Sequence, residues 1–123
     1  MGTEVAFLAS PEVWAQGHGP NHPLKPERLQ RTYELLEAYN AFDIPQLEVV
    51  APTPPSDEDL LLFHTQEYVR AVKALSEGNG EVAPGRYNFG PGDNPVFRGM
   101  YDSEGLKVGS ALQAARMVHE GRA

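Results

Sequence analysis

The sequence predicts an α/β fold built on a parallel sheet. Two short runs of β-forming residues, Thr3 to Leu8 and Leu47 to Val50, flank a segment with helical periodicity that begins near Pro26. A strand, a crossover helix and a second strand form a βαβ unit, in which the strands pair in parallel through a right-handed connection. The 123 residues suffice for one domain and are too few for two.

A structured loop separates the first strand from the first helix. Ser10-Pro11 closes the strand, and residues 16–26 are rich in Gly, Pro, Asn and His. Pro26 suits the first turn of a helix, where its missing N–H needs no partner. The apolar residues that follow have helical spacing: Leu29, Tyr33, Leu36 and Tyr39. We expect a helix of about four turns that ends before Pro45.

Two further helices follow the second strand, which three prolines bring to an end. Ser56 and Asp59 have the spacing of a capping box, with Asp in place of Glu, and predict a short helix that runs through Phe63. Thr65 can cap the next helix, which should end near Gly78. That helix presents one apolar face: Tyr68, Val69, Val72 and Leu75.

A long loop and a long helix complete the chain. Residues 78–92 are rich in Gly, Pro and Asn, and the aromatic side chains among them favour a functional loop over a disordered one. Helical periodicity extends from about Val96 to Glu120, with Gly121 as a C-cap. Gly105 and Gly109 each cost about 1 kcal/mol relative to alanine within a helix, so the pair predicts a face pressed against another backbone.

Composition excludes several classes of function. Apolar residues make up 41% and charged residues 22% of the chain, as in globular proteins. The net charge is −7, and only Arg28 and Arg31 lie close together on one helix, so we expect no nucleic-acid partner. The chain has no cysteine, which excludes disulfides and thiolate-bound zinc. Met1 to Leu8 does not match a signal peptide, and no segment has the length of a membrane span, so we expect a cytoplasmic protein.

The histidines are candidates for chemistry. His18 and His22 have the spacing of a helical metal pair, but the intervening Pro20 opposes a helix, and imidazoles that order the loop by bonding backbone groups are the alternative. His64 lies at a helix junction, where a cap or structural contact competes with catalysis. His119 lies near the end of the last helix, where a cation is favoured by the helix dipole.

Asp93 and Arg28 each leave two interpretations open. Asp93 lies in the long loop region, where it either forms an Asx-turn or presents its carboxylate to the N–H groups of a ligand. Arg28 lies in the first turn of a helix, where the positive end of the helix dipole opposes a cation. It therefore has either a compensating carboxylate or carbonyl partner, or a solvated position.

Four ordered blocks cover nearly the whole chain: His22 to Leu29 followed by Tyr33 to Tyr39, Phe63 to Val69, Gly92 to Phe97 followed by Gly99 to Tyr101, and Gly109 to Ala111 with Ala114 and Ala115. They resemble the opening loop, first helix, helix junction, second loop and following helix of the histone deacetylase family, which includes the bacterial acetoin-utilisation proteins. The resemblance implies the N-terminal part of the arginase/deacetylase fold, a parallel sheet with helices on both faces that here lacks its later strands.

The resemblance also implies an activity and two site residues. Members of the family hydrolyse acetyl-lysine or related amides with one metal, usually zinc. By resemblance, Asp93 holds the backbone amides of the substrate, and Arg28 lines the channel through which acetate leaves. The family's tandem histidines, metal ligands and transition-state tyrosine belong to segments beyond Ala123, so the resemblance assigns no catalytic or metal-binding residue here.

We therefore interpret residues 1–123 as a partial deacetylase domain: the N-terminal βαβ unit, the substrate-side loops and the helices that follow. It would be inactive alone, and the complete enzyme would act on an acetylated lysine peptide or a small acetylamide with zinc as cofactor. The alternative is a non-catalytic binding module derived from the same fold. The isolated chain should self-associate, because the edge of its first strand and the helical face around Val108, Leu112 and Ala115 would lack partners.

Overall fold

The computed structural model describes residues 3–123 as an α/β arrangement. Its strands and α-helices are β1 Val5–Leu8, α1 Glu27–Ala38, β2 Leu47–Val50, α2 Asp57–Leu61, α3 Gln66–Ser76 and α4 Met100–His119. Short 3-10 helices occupy Pro11–Trp14, Ala41–Asp43 and Pro84–Tyr87. The predicted class is confirmed, with β1 beginning at Val5 rather than Thr3. Met1 and Gly2, the start of the segment in which we expect no signal peptide, lie outside the described residues.

The sheet contains the predicted parallel pair. β1 and β2 pair in register from Val5 opposite Leu47 to Leu8 opposite Val50. The Ala9 N–H extends the pairing by donating to the Val50 carbonyl at 3.1 Å. Within residues 3–123 the sheet has these two strands alone, so both of its outer edges are unpaired.

Local capping signals place the start of α2 and both ends of α3. The Ser56 hydroxyl accepts from the Asp59 N–H at 3.1 Å, and the Asp59 carboxylate accepts from the Ser56 N–H at 3.1 Å, which confirms the capping box. The Thr65 hydroxyl accepts from the Tyr68 N–H at 3.2 Å at the start of α3. Gly78 follows the C-cap of α3 with a φ of +80°, a conformation that glycine adopts without strain.

Three helices are shorter than their sequence patterns predict: α1, α2 and α4. α2 ends at Leu61 rather than at Phe63. α1 ends at Ala38 because Asn40 takes the left-handed conformation, with a φ of 56°, and the chain continues in a 3-10 turn. α4 begins at Met100 rather than near Val96, because Gly99 interrupts the chain with a φ of 80°. At its other end the Arg122 N–H donates to the Met117 carbonyl at 2.8 Å, and the positive-φ Gly121 allows that turn.

Gly109 lies against the backbone of the segment after β2. A Cβ atom at this position would overlap the Thr53 carbonyl oxygen and lie 2.9 Å from its carbonyl carbon. The Gln113 side-chain oxygen accepts from the Thr53 N–H at 3.1 Å one turn later. Gly105 faces Pro55 at an ordinary contact distance of 3.8 Å. The predicted close backbone contact is therefore confirmed, and Gly109 makes it.

The buried core is small for a chain of this length. Its apolar members are Ala9, Val69, Ala71, Leu75, Met100 and Met117. The accessible surface is 8493 Å², whereas a compact monomer of 13.5 kDa exposes about 6,500 Å². On α4, Val108 is 41% exposed, Ala115 is exposed and Leu112 is half-buried. The predicted exposure of this face is thus present at two of its three residues.

No helix within residues 3–123 combines the length and apolar character that crossing a membrane requires.

Candidate functional site

Two loops that are distant in sequence meet beside the start of α1. We call residues 16–26 the first loop and residues 88–98 the second loop. A groove between them encloses about 440 Å³. Its lining comes from both loops: His18, Gly19, Pro20, Asn21, His22, Pro23, Gly92, Asp93 and Pro95. The groove brings Asp93 next to the two histidines whose roles the sequence left open.

His22 forms a hydrogen-bonded link between the two loops. Its Nε2 lies 3.0 Å from the Asp93 carbonyl oxygen, and its Nδ1 lies 3.1 Å from the Leu24 backbone nitrogen. Because a backbone N–H can only donate, Nδ1 must accept, and the ring proton is therefore assigned to Nε2, which donates to Asp93. The prediction that a loop histidine bonds backbone groups is confirmed for His22.

His18 strengthens the same junction through its ring. It stacks on the His22 ring with centroids 4.5 Å apart and an interplanar angle of 24°, and it packs at 5.2 Å against Phe97 of the second loop. Such aromatic contacts add about 0.5–1.5 kcal/mol beyond area burial. The three rings form an aromatic cluster that crosses from one loop to the other, with His18 stacked on His22 and tilted by 60° against Phe97.

The pair of histidines does not form a metal site. Both nitrogens of His22 already have backbone partners, so neither offers a lone pair to a metal ion. No cluster of three or more potential ligands among His, Cys, Asp and Glu occurs within residues 3–123. The donor set of this part of the chain therefore does not fit a structural or catalytic zinc ion.

Asp93 presents an exposed carboxylate at the edge of the groove. Its backbone oxygen accepts from His22, and the Gly90 N–H donates to the Asn94 carbonyl at 2.9 Å, which closes the loop around it. Within residues 3–123 the carboxylate accepts no hydrogen bond, so the Asx-turn interpretation does not hold here. The side chain remains available to donors from outside the chain.

Arg28 is solvated, which was one of the two interpretations that its sequence position allowed. It is exposed in the first turn of α1, next to the acidic Glu27 of the same turn. Its guanidinium has no ion-pair partner among the carboxylates of residues 3–123. Solvation therefore offsets the unfavourable helix dipole.

The segment that leads into the second loop is anchored to α3 by residues that sequence reasoning missed. Arg86 Nη2 lies 2.8 Å from Glu67 Oε1, and the Tyr87 hydroxyl donates to the same oxygen at 2.9 Å. The pKa of Tyr87 is raised chiefly because deprotonation would lose this hydrogen bond to a carboxylate. The aromatic residues in the loop were a signal, but no local pattern links them to Glu67.

An aromatic cavity of about 270 Å³ lies between α3, α4 and the second loop. His64 lines it and packs its ring 4.9 Å from that of Tyr68, while Thr65 makes the cap of α3. This places His64 as a packing contact. His119 is exposed in the last turn of α4, the position where a cation complements the helix dipole.

Comparison with known proteins identifies one family. The histone deacetylase domain matches residues 22–123. The acetoin utilization protein AcuC of Bacillus subtilis strain 168 is 38% identical over 121 residues, which cover 98% of this chain and 31% of that protein. Histone deacetylase 3 of Oryza sativa subsp. japonica is 35% identical over 94% of this chain and 24% of its own length. The chain thus spans less than a third of the curated relatives that it matches.

Proposed function

Because this chain belongs to the histone deacetylase family, we propose that it supplies the substrate-side loops of a metal-dependent deacetylase and does not itself contain the catalytic centre. The complete enzyme would hydrolyse acetyl-lysine or a related acetylamide. Residues 3–123 offer no ligand set that fits zinc, so the metal that the family uses would be held by other parts of the domain. In that enzyme this chain binds and orients the substrate.

The exposed Asp93 carboxylate carries the proposal. The carboxylate lies where the two loops meet and accepts no hydrogen bond within residues 3–123. His22 donates to the backbone carbonyl of the same residue and so holds Asp93 in place. A carboxylate in this position can accept hydrogen bonds from the backbone N–H groups of an extended peptide. Hydrogen bonds to a charged group contribute about 1.5–3 kcal/mol, which is enough to fix the register of a substrate in the groove.

Arg28 would act on the product side of the same reaction. Acetate is a carboxylate, and a guanidinium binds carboxylates through two parallel hydrogen bonds. The exposed guanidinium of Arg28 has no competing ion pair in residues 3–123, so it is available to line a release path. We propose this role only in the complete domain, where further segments would enclose the side chain.

The surface of the chain favours a partial domain over a self-standing binding module. The accessible surface of 8493 Å² exceeds that of a typical monomer of this mass by roughly 2,000 Å². That excess is of the size that obligate interfaces bury, about 2,000 Å² or more. A module that functions alone would be expected to bury more of its apolar surface, including Leu62 and Phe63, which are 85% and 88% exposed.

A chimaera tests the proposal. Residues 1–123 replace the matched N-terminal segment of the Bacillus subtilis acetoin utilization protein, and acetate release is measured on a panel of acetyl-lysine peptides with zinc supplied. We expect the chimaera to be active, and Asp93→Ala to lower kcat/KM by about 10- to 150-fold, the equivalent of one charge-assisted hydrogen bond. Asp43→Ala, which removes an exposed carboxylate outside the groove, is the matched control.

Two outcomes would contradict the proposal. A folded chimaera that releases no acetate, while the parent relative does, would refute a deacetylase role for this chain. An Asp93→Ala variant that equals the unsubstituted chimaera on every peptide would refute the assignment of Asp93 as the substrate anchor.

A further inference from the structure

We propose that His22 is a positioning residue that sets the orientation of Asp93 from the opposite loop. This inference rests on the proposed function, because it assigns to His22 a part in how Asp93 meets the substrate. The two residues are 71 positions apart in sequence, and they meet through one side-chain to backbone hydrogen bond of 3.0 Å. The bond reaches the Asp93 backbone, so it orients the residue and leaves the carboxylate unoccupied.

The ring of His22 can do this because its other nitrogen is also held. Nδ1 accepts from the Leu24 N–H at 3.1 Å, which fixes the ring on the first loop and leaves the proton on Nε2, where it donates to Asp93. Rotation of the ring would break both bonds together. The tautomer and the ring orientation are thus set by the same two contacts, as for a histidine whose second nitrogen is held by a backbone group.

Stacking removes the remaining freedom of the ring. His18 covers one face of His22 at 4.5 Å, and Phe97 packs against His18 at 5.2 Å. Phe97 belongs to the second loop and follows Asp93 in sequence. The second loop is therefore attached to the first at two points, one through the Asp93 carbonyl and one through the Phe97 ring.

Two substitutions at His22 separate its two hydrogen bonds. In His22→Gln the side-chain amide nitrogen occupies about the place of Nε2 and can still donate to the Asp93 carbonyl, while the acceptor for Leu24 is lost. In His22→Asn the side-chain oxygen occupies about the place of Nδ1 and can still accept from Leu24, but the side chain is too short to reach Asp93. His119→Asn, at an exposed position on α4, is the matched control.

The kinetic test uses the active chimaera described above. His22→Asn should raise KM for acetyl-lysine peptides by about 3- to 10-fold with kcat nearly unchanged, since one neutral hydrogen bond that orients the anchor is lost. His22→Gln should keep KM closer to that of the unsubstituted chimaera. In an Asp93→Ala background, His22→Asn should raise KM no further, because the carboxylate that it orients is absent.

The inference is overturned if the effects of His22→Asn and Asp93→Ala on KM are additive in the double variant. It is also overturned if His22→Gln and His22→Asn raise KM equally. Either result would mean that His22 supports the fold of the loops in general and not the orientation of Asp93.

A second measurement, made on the isotope-labelled chimaera, is independent of activity. Long-range proton–nitrogen NMR spectra should show His22 with its proton on Nε2, and the backbone amide signals of Asp93 and Asn94 should shift more in His22→Asn than in His22→Gln. A proton on Nδ1 would overturn the inference even if the chimaera were active. Conversely, an inactive chimaera with the expected NMR result would count against the proposed function and leave the link between the loops standing.

Discussion

Replacing Gly109 by alanine should destabilise the chain, although alanine is the better helix former. A Cβ atom at position 109 would lie 2.9 Å from the Thr53 carbonyl carbon and 3.1 Å from that of Pro54, while ordinary contact begins at 3.4 Å. It would also overlap the Thr53 carbonyl oxygen. These are backbone atoms, which cannot rotate away as a side chain can, so α4 and the segment after β2 would have to separate.

The magnitude follows from three contributions. Overpacking costs about 1–3 kcal/mol. Separation also weakens the bond that the Thr53 N–H donates to the Gln113 side-chain oxygen at 3.1 Å and the bond that the Gln113 amide donates to the Ala51 carbonyl at 3.4 Å, each worth about 0.5–1.5 kcal/mol. The gain in helix propensity offsets about 1 kcal/mol of this. With overpacking at about 2 kcal/mol and the two weakened bonds together losing about 1–2 kcal/mol, we expect the free energy of unfolding to fall by about 2–3 kcal/mol.

Gly105→Ala is the control on the same face of α4, one turn earlier. Its nearest neighbour is Pro55 Cδ at 3.8 Å, so a methyl group fits and the propensity gain of about 0.5–1 kcal/mol should appear as stabilisation. Urea unfolding followed by circular dichroism, at equal protein concentration, gives both free energies if the slopes agree. The close approach at Gly109 would be refuted if Gly109→Ala were as stable as the parent. It would also be refuted if Gly109→Ala and Gly105→Ala lost the same free energy of unfolding.

Three further predictions concern acid stability, metal content and association. Backbone and side-chain hydrogen bonds from Ser56, with a smaller effect of Arg116, hold the pKa of Asp59 below its ordinary value of 3.8, so its contribution to stability is present above that pH and is lost as the pH falls through the lowered pKa. Asp59→Asn should therefore flatten the acid side of a plot of Tm against pH, and an unchanged profile would contradict this. Elemental analysis after dialysis should find no stoichiometric zinc in the 123-residue chain, and one tightly held ion per chain would overturn our interpretation of His18 and His22. Size-exclusion chromatography with light scattering should show self-association, driven by the unpaired strand edges and exposed apolar side chains, whereas a monodisperse monomer with sharp cooperative unfolding would favour a self-standing module.

The elements themselves were largely predictable because their signals are local. The capping box of Ser56 and Asp59, the Thr65 cap and the glycine that follows α3 act within a few residues of the backbone groups that they satisfy. The second strand also falls where its β-forming run predicts. Where predictions missed, as at the start of α4, a single residue such as Gly99 adopts a backbone conformation that periodicity does not register.

The candidate site was predictable only in part. The motifs around His22, Arg28 and Asp93 resemble a known family, and that family is confirmed by comparison. The absence of an Asx bond at Asp93 and the solvated position of Arg28, both within residues 3–123, came from the structure, since each depends on which side chains lie nearby in space.

By itself, the sequence determined the α/β class, the parallel βαβ unit, the family and the need for a close backbone contact at a pair of glycines. Only the tertiary structure decided which partners meet: Gly109 with Thr53, Glu67 with Arg86 and Tyr87, and His22 with Asp93. The physical reason is the separation along the chain between the residues that interact. Capping and periodicity depend on hydrogen bonds and side chains a few residues apart, whereas these contacts join residues that 19 to 71 positions separate, and only the folded path of the backbone brings them together.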